Sequence, residues 1–408
     1  MKIIIVHNHY RQLGGEDLVF AQERELLERA GHEVVSYCRD NDEARLYSGL
    51  KQIGLLKQIV WAKDTRREIA SLLLRERPHL VHVHNTFMMV SPSIYSACLD
   101  SQVPVVQTLH NYRLFCPAGQ FFRSGEICEE CADYSLWRSV RYGCYRDSRA
   151  ETTGVALMLA VHRGLSTWSR MVNCYVALTQ FAREKLVQRG LPREKVVVKP
   201  NFVARDPGKR DGRGEYALFV GRLSGEKGLK TLVRAWERLK HPIPLVLVGD
   251  GPLGPQLRAE TKRQCWSNII FHGHVDHDQS VAAMKKARFV ILPSDCYENF
   301  PLTIAEAFSC GRPVICSRLG AMQEIVEDGR TGLHFTPGDP QDLAEKVEWA
   351  WMRPELTESM GRQARAEYES KYTAERNYQM LMAIYESVIA AHKSGIPVVS
   401  SPSLAYTA

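Results

Sequence analysis

The sequence predicts an α/β fold built from two parallel-sheet domains. Short apolar, β-branched runs alternate with helical patterns almost throughout the 408 residues. A polar, glycine-rich break at 205–214 interrupts that rhythm, which then restarts. A chain of this length is also too long for one ordinary core.

In the first half the expected strands are residues 2–7, 33–37, 79–84, 104–109, 173–178 and 195–199. Each is an apolar run too short to be a helix. Helical patterns lie between most of them. Residues 16–30, EDLVFAQERELLERA, carry acids in the first turn, where they complement the helix dipole. Lys199-Pro200-Asn201 breaks the pattern, and RDPGKRDGRG at 205–214 reads as a linker. Residues 216–220, 244–248, 268–271, 289–292, 313–316 and 332–335 then repeat the theme, with a helix expected at 229–239. Alternating β and α implies parallel sheets with helices on both faces. The expectation is two Rossmann-like domains, 1–200 and 215–372, facing each other across a cleft. Residues 374–393 form a long helix with no following strand, free to pack on either domain, and 394–408 form a loose tail.

With 45% hydrophobic and 24% charged residues the chain falls in the soluble globular class. The start, MKIIIVHN, turns polar too quickly for a secretion signal. No apolar run approaches the ~20 residues of a spanning helix. The expected location is therefore the cytoplasm, or the inner face of the cell membrane without crossing it. Net charge is +7, and residues 1–200 hold 27 Lys and Arg against 21 Asp and Glu. That surplus fits an anionic partner or an ordinary solvated surface equally well. Eleven cysteines without a secretion signal point to reduced thiols or metal rather than disulfides.

In open parallel sheets ligands collect beyond the carboxyl ends of the strands, so candidate chemistry is sought there. The first strand leads to Gly14-Gly15 before a helix, which is either an anion-binding turn or a plain one. His110 follows residues 104–109, where it can serve a bound polar group or be structural. After 216–220, GRLSGEKG places Arg222 and Lys227 among glycines, Gly221 included, so that two cations can converge on a diphosphate. Gly249 opens a tight turn, GDGP. Finally CYENFPLTIAE sets Glu298 before a helix that begins near Pro301, and Glu306 inside it. Glu306 can accept from a ribose diol, Glu298 from the hydroxyls of a sugar across the diphosphate, and the helix amides can hold phosphate. A helix-start acid with a solvent-facing glutamate fits the same residues.

Together these segments resemble the retaining glycosyltransferases of family 4, which have the GT-B fold. The matching residues are Glu298…Glu306, Gly221-Arg222…Glu226-Lys227-Gly228, Gly249-Asp250-Gly251-Pro252 and Gly320…Glu324, with Gly14-Gly15 and His110 in the expected places. The resemblance implies catalytic roles for His110, Arg222, Lys227 and Glu298. Arg222 and Lys227 would neutralise the diphosphate leaving group, and His110 would contact the donor sugar. Gly14, Gly15, Gly221, Gly249, Asn299, Phe300, Pro301, Leu302 and Glu306 would bind the donor. Pro301 replaces a glycine common in the family and removes one backbone donor. The C-terminal helix would cross back to the N-terminal domain. The implied reaction moves a hexose from a nucleotide-diphosphate sugar to a saccharide or lipid-linked saccharide, as in bacterial polysaccharide biosynthesis, with no catalytic cofactor and no nucleic acid. A nucleotide-sugar epimerase of the same architecture and a non-catalytic nucleotide-sugar-binding protein are the alternatives.

Two further segments stand outside this scheme. Cys116, Cys128, Cys131 and Cys144 follow a C-x11-C-x2-C-x12-C spacing within an insert at 116–144, compatible with a structural zinc or with four reduced thiols. Residues 50–69, LKQIGLLKQIVWAKDTRREI, mix basic and apolar side chains and suit either an anionic membrane surface or a core helix.

Overall fold

A computed structural model describes residues 1–11, 14–46, 52–209 and 212–395. The chain forms two compact units. The first comprises residues 1–121 and 129–201 with the chain from Asn377, and the second residues 122–128 and 202–376.

The first unit is built on a wholly parallel six-stranded sheet in the order β2-β1-β3-β4-β7-β8. Its strands are β1 (Lys2–His9), β2 (Glu33–Asp40), β3 (Leu80–Val83), β4 (Val105–Thr108), β7 (Cys174–Ala177) and β8 (Val196–Val198), while β5 (Phe122–Arg123) and β6 (Glu126–Ile127) pair with each other in a separate antiparallel hairpin. Their near-continuous apolar runs follow from burial on both faces. The strand direction of winding reverses between β1 and β3, and a crevice forms beyond the strand ends at such a point. From Asn377 the helix Ala374–Ser394 belongs to this unit, where Leu381, Ile384, Tyr385 and Val388 share a core with Ile3, Leu27, Leu80 and Val106.

The second unit repeats the plan in the order β11-β10-β9-β12-β13-β14. The strands are β9 (Tyr216–Val220), β10 (Leu245–Val248), β11 (Ile269–Gly273), β12 (Ala287–Leu292), β13 (Val314–Ser317) and β14 (Gly332–Phe335). Here the reversal lies between β9 and β12. A core of Phe219, Leu232, Trp236, Phe289, Phe335 and Leu343 fills one face.

Each expected strand is present, with ends displaced by up to three residues. β1 runs to His9 because pairing with β2 continues through His9 and Asp40, although the last residues are polar. The expected helix at 229–239 stops at Trp236. Residues 50–69 are not one helix. The described part is the helix Gln52–Val60 followed by the helix Lys63–Glu76. Ile59, Ala62 and Ile69 are buried. Leu56 lies where a Cβ on Gly154 would touch it, and Trp61 stacks on His162 with ring centroids 5.8 Å apart. These apolar side chains serve the interior of the first unit rather than a free face. Leu50 and Lys51, residues 210–211 of the linker and residues 396–408 of the expected tail lie outside the described residues. Among the described residues no helix is long and apolar enough to cross a membrane.

Candidate active site

The ends of β9 and β12 lie on either side of the reversal in the second sheet, and Lys227 of GRLSGEKG meets Glu298 of CYENFPLTIAE there. After β9 the chain passes Gly221 and an exposed Arg222 into the short 3-10 turn Gly225–Lys227. Gly228 follows in the left-handed region at φ 66°, and a Cβ there would fall 1.7 Å from the Pro293 carbonyl oxygen. Only glycine allows the two strand-end loops to approach so closely. The approach carries Lys227 Nζ to 2.6 Å from Glu298 Oε1, and the Ser294 hydroxyl donates to the same oxygen at 2.7 Å.

This pair is charged in both members. Burial pushes the Glu298 carboxyl up, but the Lys227 ammonium beside it and the two hydrogen bonds outweigh that, leaving it below the ordinary carboxylate value. Burial likewise depresses Lys227, and Glu298 more than restores it, so its pKa is raised. Gly249, at φ 127°, packs its backbone on Gly221: a Cβ would sit 2.0 Å from the Gly221 carbonyl oxygen. The turns after β9 and β10 are further joined by Leu223 N donating to Asp250 O at 3.0 Å.

Pro301 is the N-cap residue rather than the first helical residue, and the helix Leu302–Ser309 starts after it. The Leu302 and Thr303 amides therefore belong to the first turn, whose N–H groups have no partner within a helix. Phe300 is buried with its ring against Tyr372, 5.6 Å between centroids, and Asn299 is buried beside it. Glu306 lies on the fifth helical position, where burial pushes its carboxyl up and His277 opposes. His277 Nδ1 is 3.7 Å from Glu306 Oε1. Asp295, whose carboxyl burial raises to about 6, adds a second acid in the same loop.

His110, Gly14 and Gly15 belong to the first unit. Gly14 is the N-cap of the helix Gly15–Arg29, and its amide donates to Asp17 Oδ2 at 2.8 Å. That amide is spoken for by the helix's own capping, while Gly15, the residue expected to offer an amide to phosphate, opens the helix. His110 lines a concave pocket together with His84, Asn85, Gln107, Asn111 and Arg113. Next to it stands a carboxyl that the sequence reading passed over. Glu16 accepts from Asn85 Nδ2 at 2.9 Å and from Asn111 Nδ2 at 3.2 Å. Burial raises it to about 7, with Arg113 opposing.

Two groups in this unit bring three ligand-type atoms within 4.8 Å of one another: His7, His9 and Asp17, and Glu23, His82 and His84. In the first, Asp17 Oδ1 already accepts from both histidines, at 2.9 and 3.0 Å. In the second, a divalent ion would face the Lys199 ammonium that already holds the Glu23 carboxylate. Neither fits a metal centre as it stands. The only sequence signal for them was the i, i+2 spacing of His7 and His9 and of His82 and His84, which puts each pair on one face of a strand.

The four-cysteine zinc site gains no support: Cys116, Cys128, Cys131 and Cys144 form no disulfide, and the groups of ligand atoms within 4.8 Å among the described residues do not include them. Zinc–thiolate bonds of ~2.3 Å need sulfurs closer than that. Without a metal, burial raises the Cys131 thiol to about 11, with Cys116 and Cys144 adding to the shift. The insert contains a hairpin, Phe122–Arg123 with Glu126–Ile127, and the helices Glu130–Asp133 and Trp137–Tyr142. Glu129 adds an ion pair with Lys185 at 2.6 Å.

Comparison with known proteins agrees with this architecture. Residues 14–206 match the family Glycosyltransferase Family 4, and residues 202–367 match Glycosyl transferases group 1. The chain is 33% identical over 161 residues to D-rhamnosyltransferase WbpZ of Pseudomonas aeruginosa, covering 39% of this chain and 42% of that protein. It is 29% identical over 176 residues to O-antigen chain mannosyltransferase C of Escherichia coli, covering 43% and 47%. The chain thus spans about half the length of the curated relatives it matches. Among solved structures, HepE of Anabaena in complex with UDP superposes with a TM-score of 0.66 at 19% identity, over 95% of this chain and 100% of that one. That likeness is one of fold, the GT-B arrangement of two parallel-sheet α/β domains.

Proposed function

The chain belongs to the glycosyltransferases of group 1 and family 4, and from that premise we propose that it moves a hexose, with retained anomeric configuration, from a nucleotide-diphosphate sugar to a saccharide or lipid-linked saccharide. A place in the assembly of a bacterial surface polysaccharide accords with relatives such as an O-antigen chain mannosyltransferase. The observation that carries the reading is the half-buried, doubly charged Lys227–Glu298 pair at 2.6 Å, set at the strand ends beside the first turn of the helix Leu302–Ser309.

Transfer from such a donor builds negative charge on the departing diphosphate. A cation already protonated and already held in place stabilises that charge without reorganisation. Lys227 has this character, and the exposed Arg222 can add a second cation from the same turn. The Leu302 and Thr303 amides supply donors at the positive end of a helix, while Pro301 supplies none. Glu298, kept ionised, accepts from sugar hydroxyls, and Glu306 from the ribose. Gly14, Gly15, Gly221 and Gly249 let backbone approach the donor. His110 meets the sugar near its anomeric carbon. The acceptor hydroxyl enters on the face the phosphate leaves, and the phosphate oxygen takes its proton, so positioning and charge stabilisation do the catalytic work.

The test joins binding to chemistry. Thermal shift against UDP-, GDP- and ADP-sugars should raise the melting temperature with one of them, because a ligand bound only by the folded form stabilises it. Incubation of that donor with saccharide acceptors should then yield a glycoside whose anomeric configuration, read by NMR, equals that of the donor. An inverted product would overturn the retaining mechanism. A new nucleotide sugar released without acceptor would indicate an epimerase, and tight binding without turnover a non-catalytic binder.

A further inference from the structure

Behind His110 the first unit buries a row of ionisable side chains that this reading leaves unused. Lys199 Nζ lies 2.5 Å from Glu23 Oε1, and both side chains are wholly buried. The other carboxylate oxygen, Oε2, lies 3.4 Å from His84 Nε2 without the alignment of a hydrogen bond, and among the described residues neither atom has another hydrogen-bond partner. On its far side His84 Nδ1 lies 3.1 Å from His110 Nε2, with the rings stacked. His82, next to His84, is occupied on both nitrogens, by the Thr108 hydroxyl at 2.8 Å and the Tyr385 hydroxyl at 2.7 Å.

Burial keeps these imidazoles neutral, holding His110 near 3 and His84 well below its ordinary value, with nearby positive groups adding to the effect. A neutral imidazole has one N–H and one bare nitrogen. The His84–His110 hydrogen bond can therefore run in two directions. If His84 Nδ1 donated, its bare Nε2 would sit 3.4 Å from the Glu23 carboxylate oxygen, two electron-rich atoms side by side in a low-dielectric interior. If Nε2 carries the proton, the positive end of an N–H dipole lies beside that charge instead, a charge–dipole contact short of a hydrogen bond. The second arrangement wins. His84 Nδ1 then accepts, His110 Nε2 donates, and His110 Nδ1 is left bare.

We propose that Glu23, clamped by Lys199, is a positioning residue that sets the tautomer of His84 and through it that of His110, so that His110 offers a bare Nδ1, a hydrogen-bond acceptor, to a sugar hydroxyl. The tautomer assignment stands on the placement of Glu23, His84 and His110 and on their burial; its use in transfer rests on the reading of His110 given above.

The assignment is tested on the full chain with 15N-labelled histidine, by two-bond nitrogen–proton correlation at neutral pH. Both His84 and His110 should show the Nε2–H tautomer. In Glu23→Gln, Lys199 still requires an oxygen at the Oε1 position, so the amide nitrogen takes the place of Oε2 and its N–H dipoles lie beside His84 Nε2, favouring a bare nitrogen there. Both histidines should then switch to Nδ1–H. Turnover should fall by about 10- to 100-fold, as expected when one buried acceptor becomes a donor, while KM for the nucleotide sugar changes by less than about threefold. His110 as an Nδ1–H tautomer in the native chain, or unchanged tautomers in a folded Glu23→Gln protein, would overturn the proposal. Glu23→Gln leaves the Lys199 charge uncompensated; should it not fold, the native spectrum decides alone. If the tautomers behave as stated but His110→Gln transfers sugar as well as the native protein, the assignment holds and the sugar-contact reading of His110 fails.

Discussion

At single positions, the geometry separates residues whose role shows in their own type from those whose role depends on a distant partner. Gly228 is of the first kind. Its φ of 66° and the 1.7 Å approach of the Pro293 carbonyl to an added Cβ leave no room for alanine. Gly228→Ala should cost about 3 kcal/mol or more, read from urea unfolding, because strain and a backbone clash combine. Lys227 and Glu298 are of the second kind. Both stood out in the sequence as charged residues in loops, but nothing there said that they pair. Lys227→Met should lower turnover by roughly 2–4 kcal/mol of transition-state stabilisation. Glu298→Gln, which keeps the shape and the Ser294 contact, should lose activity while Lys227 stays protonated. A Lys227→Met enzyme with native turnover would remove the leaving-group role. Glu16 and the Glu23–Lys199 pair escaped the sequence reading because a glutamate at a helix start or face looks solvated until its burial is known.

For the elements, periodicity and length were enough to place strands to within three residues, since a buried parallel strand has to be a short apolar run. Polar ends were harder. His7, Asn8 and His9 extend β1 because ladder hydrogen bonds continue regardless of side chain. The basic, apolar stretch at 50–69 shows the converse limit: amphipathicity reports that one face is covered, not what covers it. Ile59 and Trp61 turn inward, against the helix Arg149–Gly164 and its His162. The C-terminal helix gives the sharpest case. It reads as a long amphipathic helix, yet Leu381, Ile384 and Tyr385 complete a core begun by Ile3 and Leu27. Leu381→Ala should therefore destabilise the first unit by about 2–5 kcal/mol, as large-to-small changes at fully buried sites do. A loss under about 0.5 kcal/mol in chemical denaturation would contradict this packing.

Across the molecule, the buried histidines make stability depend on pH. His82 is held near 4 and His110 near 3, against about 6.5 in an unfolded chain. Between those values the unfolded form binds more protons, so stability is full above about pH 6.5 and is lost as pH falls. Glu16, raised to about 7, works the other way between about 4.5 and 7, since there the folded form binds the extra proton. Two histidines displaced further than one glutamate leave a net loss on acidification. The melting temperature should fall as pH drops from 6.5 to 4. In Glu16→Gln, where the opposing titration is gone, it should fall more steeply. An equal or shallower slope in the variant would mean that Glu16 titrates in the folded protein as it does in water. What the sequence by itself determined is the two-sheet α/β plan, the family and the loops that carry candidate chemistry, because strand and helix periods, turn glycines and loop charges are local properties of the chain. Only the tertiary structure decided which charges pair, and that a line of side chains from Lys199 through Glu23 to His84 lies buried behind His110. Pairing and burial join residues far apart in sequence, 176 positions for Lys199 and Glu23 and 303 for Tyr385 and His82, and their energies depend on the absence of water, which no run of neighbouring residues records.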